Sequence, residues 1–188
     1  MLKKQVNDWV NAWQCFTHAG STISRHSTSP LVPWVPPPTG TLKCNVDAMI
    51  NDGVVGFGAV LRDHEGKFVA ACGGRLNCAI DPYVAEAMAV KEALTWLKNR
   101  GTFLVIIESD CLNVCNGFNS ASLDYSYVGL IIKQCKLIAR DMRDIVVRHV
   151  IRSANQVAHV LARGTGSSPV LRFWDFSPPD CISSLLLV

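Results

Sequence analysis

Three short runs rich in apolar residues dominate the first half of the chain: Leu42–Ile50, Val54–Arg62 and Lys67–Leu76. The segments between them, Asn51-Asp52-Gly53 and Asp63-His64-Glu65-Gly66, have the Asn, Asp and Gly content of β-hairpin turns. Because such turns join neighbouring antiparallel strands, this pattern predicts three consecutive antiparallel strands.

Helical and strand-like patterns follow one another in the second half. Asp81 can cap a helix whose first residue is Pro82, and an apolar side continues until Asn99. The pattern then predicts a strand, two helices, a strand and a short helix: Phe103–Glu108, Cys111–Asn119, Tyr127–Met142, Ile145–Ile151 and Asn155–Arg163. We therefore expect an α/β fold whose five-stranded mixed sheet is flanked by helices, with three antiparallel strands and two later strands parallel to the first.

The first forty residues have a different composition. Residues 1–19 carry Val6, Val10 and Trp13 at helical spacing, whereas residues 20–40 are rich in Ser, Thr and Pro, as in a linker. We expect an N-terminal extension and linker over 1–40, one domain over 41–165 and a C-terminal tail over 166–188. Packing is the favoured role for Trp9, Trp13 and Trp34, with base stacking as the alternative.

Composition narrows the class of protein. The chain has 188 residues, of which 49% are hydrophobic and 18% charged, and no apolar stretch approaches the roughly 20 residues of a membrane span. The N-terminus does not resemble a secretory signal, so we expect an intracellular protein of the nucleus or cytoplasm, monomeric and without a membrane partner. The eight cysteines form no C-x-x-C pair, which favours free thiols.

A net charge of +3 is too small to hold a nucleic acid by bulk electrostatics. One local cluster is stronger, because four cations recur at spacings of three and four along a predicted helix: Lys133, Lys136, Arg140 and Arg143. This stripe is either a solvated outer face or a ridge that follows nucleic-acid phosphates.

Three carboxylates occupy settings from which they could converge. Asp47 and Asp110 lie at or near the ends of strand-like runs, and Glu86 lies in the opening turns of the first predicted helix. Hard oxygen ligands of this kind suit Mg²⁺ or Mn²⁺, and such ions most often act on phosphate esters. The sequence thus predicts a divalent-metal site made by these three residues.

The order of these motifs resembles a type 1 ribonuclease H domain, and more closely its plant reverse-transcriptase-like version. The resemblance covers about residues 42–165. It is carried by the three carboxylates with the strands around them and by four stretches: Trp34-Val35-Pro36-Pro37-Pro38, Lys43-Cys44-Asn45-Val46-Asp47-Ala48, Gly56-Phe57-Gly58-Ala59-Val60-Leu61-Arg62-Asp63 and Arg148–Ala162. It also implies derivation from a non-LTR retroelement.

The resemblance implies endonucleolytic cleavage of the RNA strand of RNA–DNA hybrids by two Mg²⁺ or Mn²⁺ ions. Asp47 would bridge the ions, and Glu86 and Asp110 would complete their coordination. His149 matches a histidine that the family uses near the leaving group. Asn155 matches the asparagine six residues later, and we expect it to bind nucleic acid. Double-stranded RNA is a second possible partner.

The chain departs from the family pattern at the fourth metal-site carboxylate, where it has His159. Imidazole can ligate Mn²⁺ but brings no negative charge, so activity could be weakened, shifted towards Mn²⁺ or lost. A second departure places Pro82 and Tyr83 where cellular enzymes have amides that read the ribose 2′-hydroxyl. The alternatives are a catalytically impaired nucleic-acid-binding module of the same fold, a different nuclease or exonuclease of the broad superfamily, and a plain interaction domain.

Two further carboxylates, Glu92 and Glu108, could be neighbours of the metal site. A charged helix position and a strand end are ordinary places for a glutamate, so we expect neither to take part.

Overall fold

A computed structural model describes residues 33–165 and 168–186 of the chain. Within these residues, six strands and five helices occur in the order β1 (Leu42–Asn51), β2 (Val54–Arg62), β3 (Phe68–Leu76), α1 (Pro82–Asn99), β4 (Val105–Ser109), α2 (Leu112–Asn119), α3 (Tyr127–Asp141), β5 (Ile145–His149), α4 (Gln156–Thr165), β6 (Arg172–Trp174) and α5 (Asp180–Ser183). A 3₁₀ turn, Arg152–Asn155, leads into α4. The predicted helix over 1–19 lies outside the described residues.

One mixed sheet in the order β5-β4-β1-β2-β3-β6 forms the centre of the fold. Strands β1, β2 and β3 are antiparallel neighbours, and β4 and β5 run parallel to β1. This arrangement confirms the predicted α/β fold and the directions of the five predicted strands. The sixth strand, β6, was not predicted, and it pairs antiparallel with β3 at the edge of the sheet.

Some predicted element ends need correction. The strand predicted to reach Ile151 ends at His149. The Val150 N–H still donates to the Ser109 carbonyl (3.0 Å), and Ile151 is already the N-cap of the 3₁₀ turn. Helix α3 ends at Asp141, since the backbone at Met142 is extended. Arg143 therefore lies beyond the helix that carries the other three cations of the basic stripe.

The two faces of the sheet are covered by different helices. Helix α1, with α3 packed against it, covers one face, and α4 covers the other. The first layer of apolar side chains includes residues of β1, β4 and α1, and the second includes residues of β2, β3, α4 and α5: Cys44, Val46, Ile107, Val90 and Leu94, then Val60, Ala71, Leu161 and Ile182. Among the described residues, no helix has the length and apolar character needed to span a bilayer.

Helix α4 approaches the sheet unusually closely at Gly58, the β2 residue paired with Asp47. A Cβ atom at Gly58 would lie 2.6 Å from the backbone nitrogen of Ala162 and 2.9 Å from the carbonyl oxygen of Ala158. These neighbours are backbone atoms of α4, which cannot rotate away. Because Gly58 has no side chain, α4 can lie directly against β2 next to Asp47.

We expect Gly58→Ala to lower the free energy of unfolding by about 1–3 kcal/mol, because the added methyl group overpacks a rigid contact. Urea denaturation measures this change. Gly117→Ala is the matched control, since its Cβ would meet the end of the Ile132 side chain (2.7 Å to Cδ1), which can move. Equal stability of the wild type and Gly58→Ala would contradict the close packing.

Candidate metal centre

Three elements bring the predicted carboxylates together. Asp47 lies in β1, Asp110 directly follows the neighbouring parallel strand β4, and Glu86 lies in the second turn of α1. The Asp81 side chain caps α1 by accepting a bond from the Val84 N–H (2.9 Å). One oxygen from each of Asp47, Glu86 and Asp110 lies within 4.8 Å of the other two.

Burial and mutual repulsion disfavour the ionised forms of two of these carboxyls. Burial, and then the charge of Asp110, raises the pKa of Asp47 to about 6. Burial, followed by the charges of Asp47 and Asp110, raises the pKa of Glu86 to about 9. Within the described part of the chain, the buried Oε2 of Glu86 has no hydrogen-bond partner. A divalent cation would satisfy this oxygen and relieve the repulsion, so the three residues fit Mg²⁺ or Mn²⁺.

We expect Mn²⁺ binding at pH 7 to release about one proton, because a carboxyl with a pKa near 9 holds its proton until a cation displaces it. The apparent Mn²⁺ affinity should therefore rise as the pH increases towards 9. Titration calorimetry in buffers of different ionisation enthalpy counts the released protons. In Glu86→Gln, the proton release assigned to Glu86 should be lost, and an unchanged count would refute that assignment.

His159 contacts Asp47 rather than joining the group of three carboxylates. Its Nδ1 lies 2.8 Å from Asp47 Oδ2, and the side chain is 18% exposed. An Arg152 guanidinium nitrogen lies 3.3 Å from both ring nitrogens of His159. His159 is thus placed as a hydrogen-bond partner of Asp47, and its predicted role as a metal ligand stays a prediction.

Arg152 is a residue that the sequence analysis missed. It is exposed, lies in the 3₁₀ turn before α4, and its charge opposes the raised pKa of Glu86. Arg152 therefore places a cation beside the carboxylates. Arg152 lies in the 3₁₀ turn and His159 lies in α4, seven residues later. Because the two residues are in different elements, helical periodicity alone does not indicate that they are in contact.

Asn155 is fully buried and holds one of the carboxylates. Its side-chain N–H groups donate to Asp110 Oδ1 (3.3 Å) and to the Val46 carbonyl (2.9 Å), and its Oδ1 accepts a bond from Asn45 (3.1 Å). An amide in this environment is placed to position Asp110 rather than to meet a nucleic acid, and the predicted contact with nucleic acid stays a prediction. His149 is exposed at the end of β5, in register with Ser109, the residue before Asp110.

The basic stripe lies on α3 and just beyond its C-terminal end. Lys133, Arg140 and Arg143 are exposed, whereas Lys136 is half-buried and donates to the Ser120 carbonyl (2.7 Å). Three of the four cations are thus free to face solvent or a polyanion.

The two further glutamates lie outside the group of three. Glu92 is half-exposed and lies 3.9 Å from Lys91. Glu108 is only 1% exposed and lies 3.0 Å from Lys43, with a second ion pair to Arg148. Among the described residues, the group of carboxylates that could hold a cation consists of Asp47, Glu86 and Asp110.

Several solved structures share this fold. The archaeal RNase H1 of Halobacterium salinarum has a TM-score of 0.60 and 22% identity, over 66% of this chain and 96% of that one. The N-terminal RNase H domain of a Mycobacterium tuberculosis protein, solved as a maltose-binding protein fusion, has a TM-score of 0.61 and 20% identity, over 69% and 95%. LC11 RNase H1, solved with an RNA/DNA hybrid, has a TM-score of 0.60 and 17% identity, over 67% and 96%.

Sequence comparison gives the family. No curated protein matches the chain. The sequence profile of the reverse transcriptase-like family matches residues 45–165, which include Asp47, Glu86 and Asp110. Since this match covers more than half of the sequence, the chain belongs to the reverse transcriptase-like family, and its domain has the ribonuclease H-like fold.

Proposed function

We propose that the protein is a metal-dependent endonuclease that hydrolyses the RNA strand of RNA–DNA hybrids. The observation that carries the proposal is the convergence of Asp47, Glu86 and Asp110 within 4.8 Å. A cluster of three carboxylates, in which Asp47 and Glu86 have raised pKa values, is typical of a site for divalent cations that act on phosphate esters. The complex of LC11 RNase H1 with an RNA/DNA hybrid supports the choice of substrate.

The residues of the site have separate tasks in this proposal. Asp47, Glu86 and Asp110 would hold two Mg²⁺ or Mn²⁺ ions, which when bound lower the pKa of the attacking water and stabilise the leaving oxygen. Asn155 keeps Asp110 oriented through its hydrogen bond. His149, which is exposed and in register with Ser109, is proposed to act near the leaving group. In this proposal the bond between phosphorus and the ribose 3′-oxygen breaks, so cleavage leaves a 3′-hydroxyl and a 5′-phosphate.

Nucleic-acid binding is proposed for the exposed basic residues. Lys133, Arg140 and Arg143 present positive charge to solvent from α3 and the residues after it, and Lys136 adds a partly covered one. Such cations neutralise phosphates without reading sequence. Because Pro82 and Tyr83 offer no amide to the ribose 2′-hydroxyl, we expect looser discrimination between RNA and DNA strands than in cellular enzymes.

A second candidate function is an impaired binding module of the same fold. The hydrogen bond between His159 and Asp47 favours it, because an imidazole that engages Asp47 competes with a metal ion for that carboxylate.

The proposed origin of the domain is a plant non-LTR retroelement. The description of the family as reverse transcriptase-like supports the retroelement part of this proposal.

Cleavage of a labelled RNA–DNA hybrid, in Mg²⁺ and separately in Mn²⁺, tests the proposal. Single-stranded RNA, double-stranded RNA and double-stranded DNA of the same sequence serve as comparison substrates, and binding to the hybrid is measured in parallel with EDTA present. We expect internal cleavage of the hybrid RNA strand only when metal is present. Hybrid binding without cleavage in either metal would instead establish the binding module.

A further inference from the structure

The segment before β1 packs Trp34 onto a group of buried charges. Lys43, Arg62 and Arg148 surround Glu108, and each of these four side chains is 7% exposed or less. Glu108 Oε1 accepts bonds from Arg148 Nε (2.9 Å) and lies 3.0 Å from Lys43 Nζ. A buried charge is tolerated only when its partners hold it in place, so the position of Glu108 depends on its hydrogen-bond donors.

Trp34 is one of these donors. Its indole Nε1–H donates to Glu108 Oε2 (2.9 Å), and the Arg62 guanidinium stacks on its ring at 3.3 Å from the centroid. The Lys43 ammonium lies 5.0 Å from the same ring and donates to the Val35 carbonyl. Trp34 thus belongs to the buried network, although it precedes the first strand and lies before the predicted domain start at residue 41.

From Glu108 a continuous path of hydrogen bonds leads to the metal site. Asn45 Nδ2 donates both to Glu108 Oε2 (2.9 Å) and to Asn155 Oδ1 (3.1 Å). Asn155 in turn donates to Asp110 (3.3 Å). Asn45 and Asn155 are both fully buried, so water cannot replace a lost partner. The indole N–H of Trp34 therefore fixes the carboxylate oxygen that orients two amides and, through them, Asp110.

We propose that Trp34 is a positioning residue of the metal site, acting through Glu108, Asn45 and Asn155 on Asp110. This inference rests on the proposed function, because it assumes that Asp110 binds metal. The indole N–H of Trp34 bonds Glu108 and not one of the three carboxylates of the metal site. Its removal should change how well Asp110 is placed for a cation, beyond any general loss of stability.

The test compares Trp34→Phe with the wild type by measuring the Mn²⁺ dissociation constant with electron paramagnetic resonance, which needs no turnover. Phenylalanine keeps an aromatic ring for Arg62 and removes only the N–H donor and part of the ring. We expect Mn²⁺ affinity to fall about three- to tenfold, in the range found for residues that act through a network. Urea denaturation of each variant shows that the measurements are made on folded protein.

Trp96→Phe is the matched control. Trp96 is a buried tryptophan on α1, the helix that carries Glu86, and it is 7% exposed. The substitution removes the same atoms, so it should reduce stability without changing Mn²⁺ affinity. A loss of stability in Trp34→Phe with unchanged Mn²⁺ affinity would give Trp34 a purely structural role and overturn the inference.

A double-mutant cycle with Asn155→Ala tests the path itself. If Trp34 acts through Asn155, then Trp34→Phe should have little further effect on Mn²⁺ affinity once Asn155 is alanine. Additive effects of the two substitutions would overturn the path. Failure of the wild type to bind Mn²⁺ would defeat the proposed function together with this inference, whereas an unaffected Trp34→Phe would defeat the inference alone.

Discussion

Asp47→Asn should abolish hybrid cleavage, with a fall in rate of about 10³-fold or more, which corresponds to roughly 4 kcal/mol of lost transition-state stabilisation. Asparagine keeps the size of the side chain and removes the charge that a divalent cation needs. Burial and the charge of Asp110 raise the pKa of Asp47 to about 6. Ionisation of this carboxyl at pH 7 therefore lowers the folding stability of the metal-free protein. We therefore expect the inactive variant to be at least as stable as the wild type in EDTA.

Single-turnover cleavage assays and urea denaturation, done on the same preparations, measure both effects. Mn²⁺ should stabilise the wild type against urea and leave Asp47→Asn almost unchanged, because only the wild type binds the ion. Cleavage that persists in Asp47→Asn would assign the activity to another site or to a contaminating ribonuclease. Loss of stability together with activity would mean that Asp47 serves the fold.

His159→Asp should raise the cleavage rate in Mg²⁺ by about tenfold or more, equivalent to about 1.4 kcal/mol. The substitution removes the imidazole that lies 2.8 Å from Asp47 Oδ2 and adds a fourth carboxylate to the site. Mg²⁺ prefers oxygen ligands, so the gain should be larger in Mg²⁺ than in Mn²⁺, which tolerates imidazole. In EDTA the variant should be less stable, since it adds a negative charge next to Asp47 and Asp110.

His159→Asn separates the two causes, because it removes the imidazole without adding charge. A gain in His159→Asp that is absent in His159→Asn would attribute the effect to the carboxylate. An equal gain in both would show that the hydrogen bond to Asp47 is what limits activity. No gain in either variant would contradict a limiting role for His159.

The three carboxylates could be located from sequence because each lies in a regular element or directly after one. Strand alternation fixes the side to which Asp47 points, the end of a buried strand places Asp110, and a capped helix start places Glu86. Adjacent parallel strands then leave little freedom in how these residues meet. Their convergence in the structure follows from local rules and from the order of the elements.

The roles of Glu108, Trp34 and His159 depend on contacts between distant parts of the chain. In the sequence, Glu108 is simply the last residue of a predicted apolar strand. The cations Lys43 and Arg148 come close to it because β4 pairs with β1 on one side and with β5 on the other. A signal was present in β1, where Lys43, Asn45 and Asp47 alternate with apolar residues and so mark a polar stripe on one face. Periodicity does not indicate which partners neutralise such a stripe.

Strand β6 has a consequence for the behaviour of shortened forms of the chain. It covers β3 at the edge of the sheet through the pairs Ala71 with Trp174 and Gly73 with Arg172. A polypeptide that stopped at residue 165, where the family match ends, would leave this row of backbone donors and acceptors open to a strand of another molecule. Self-association of such a fragment would then reflect an uncovered edge rather than an inability to fold.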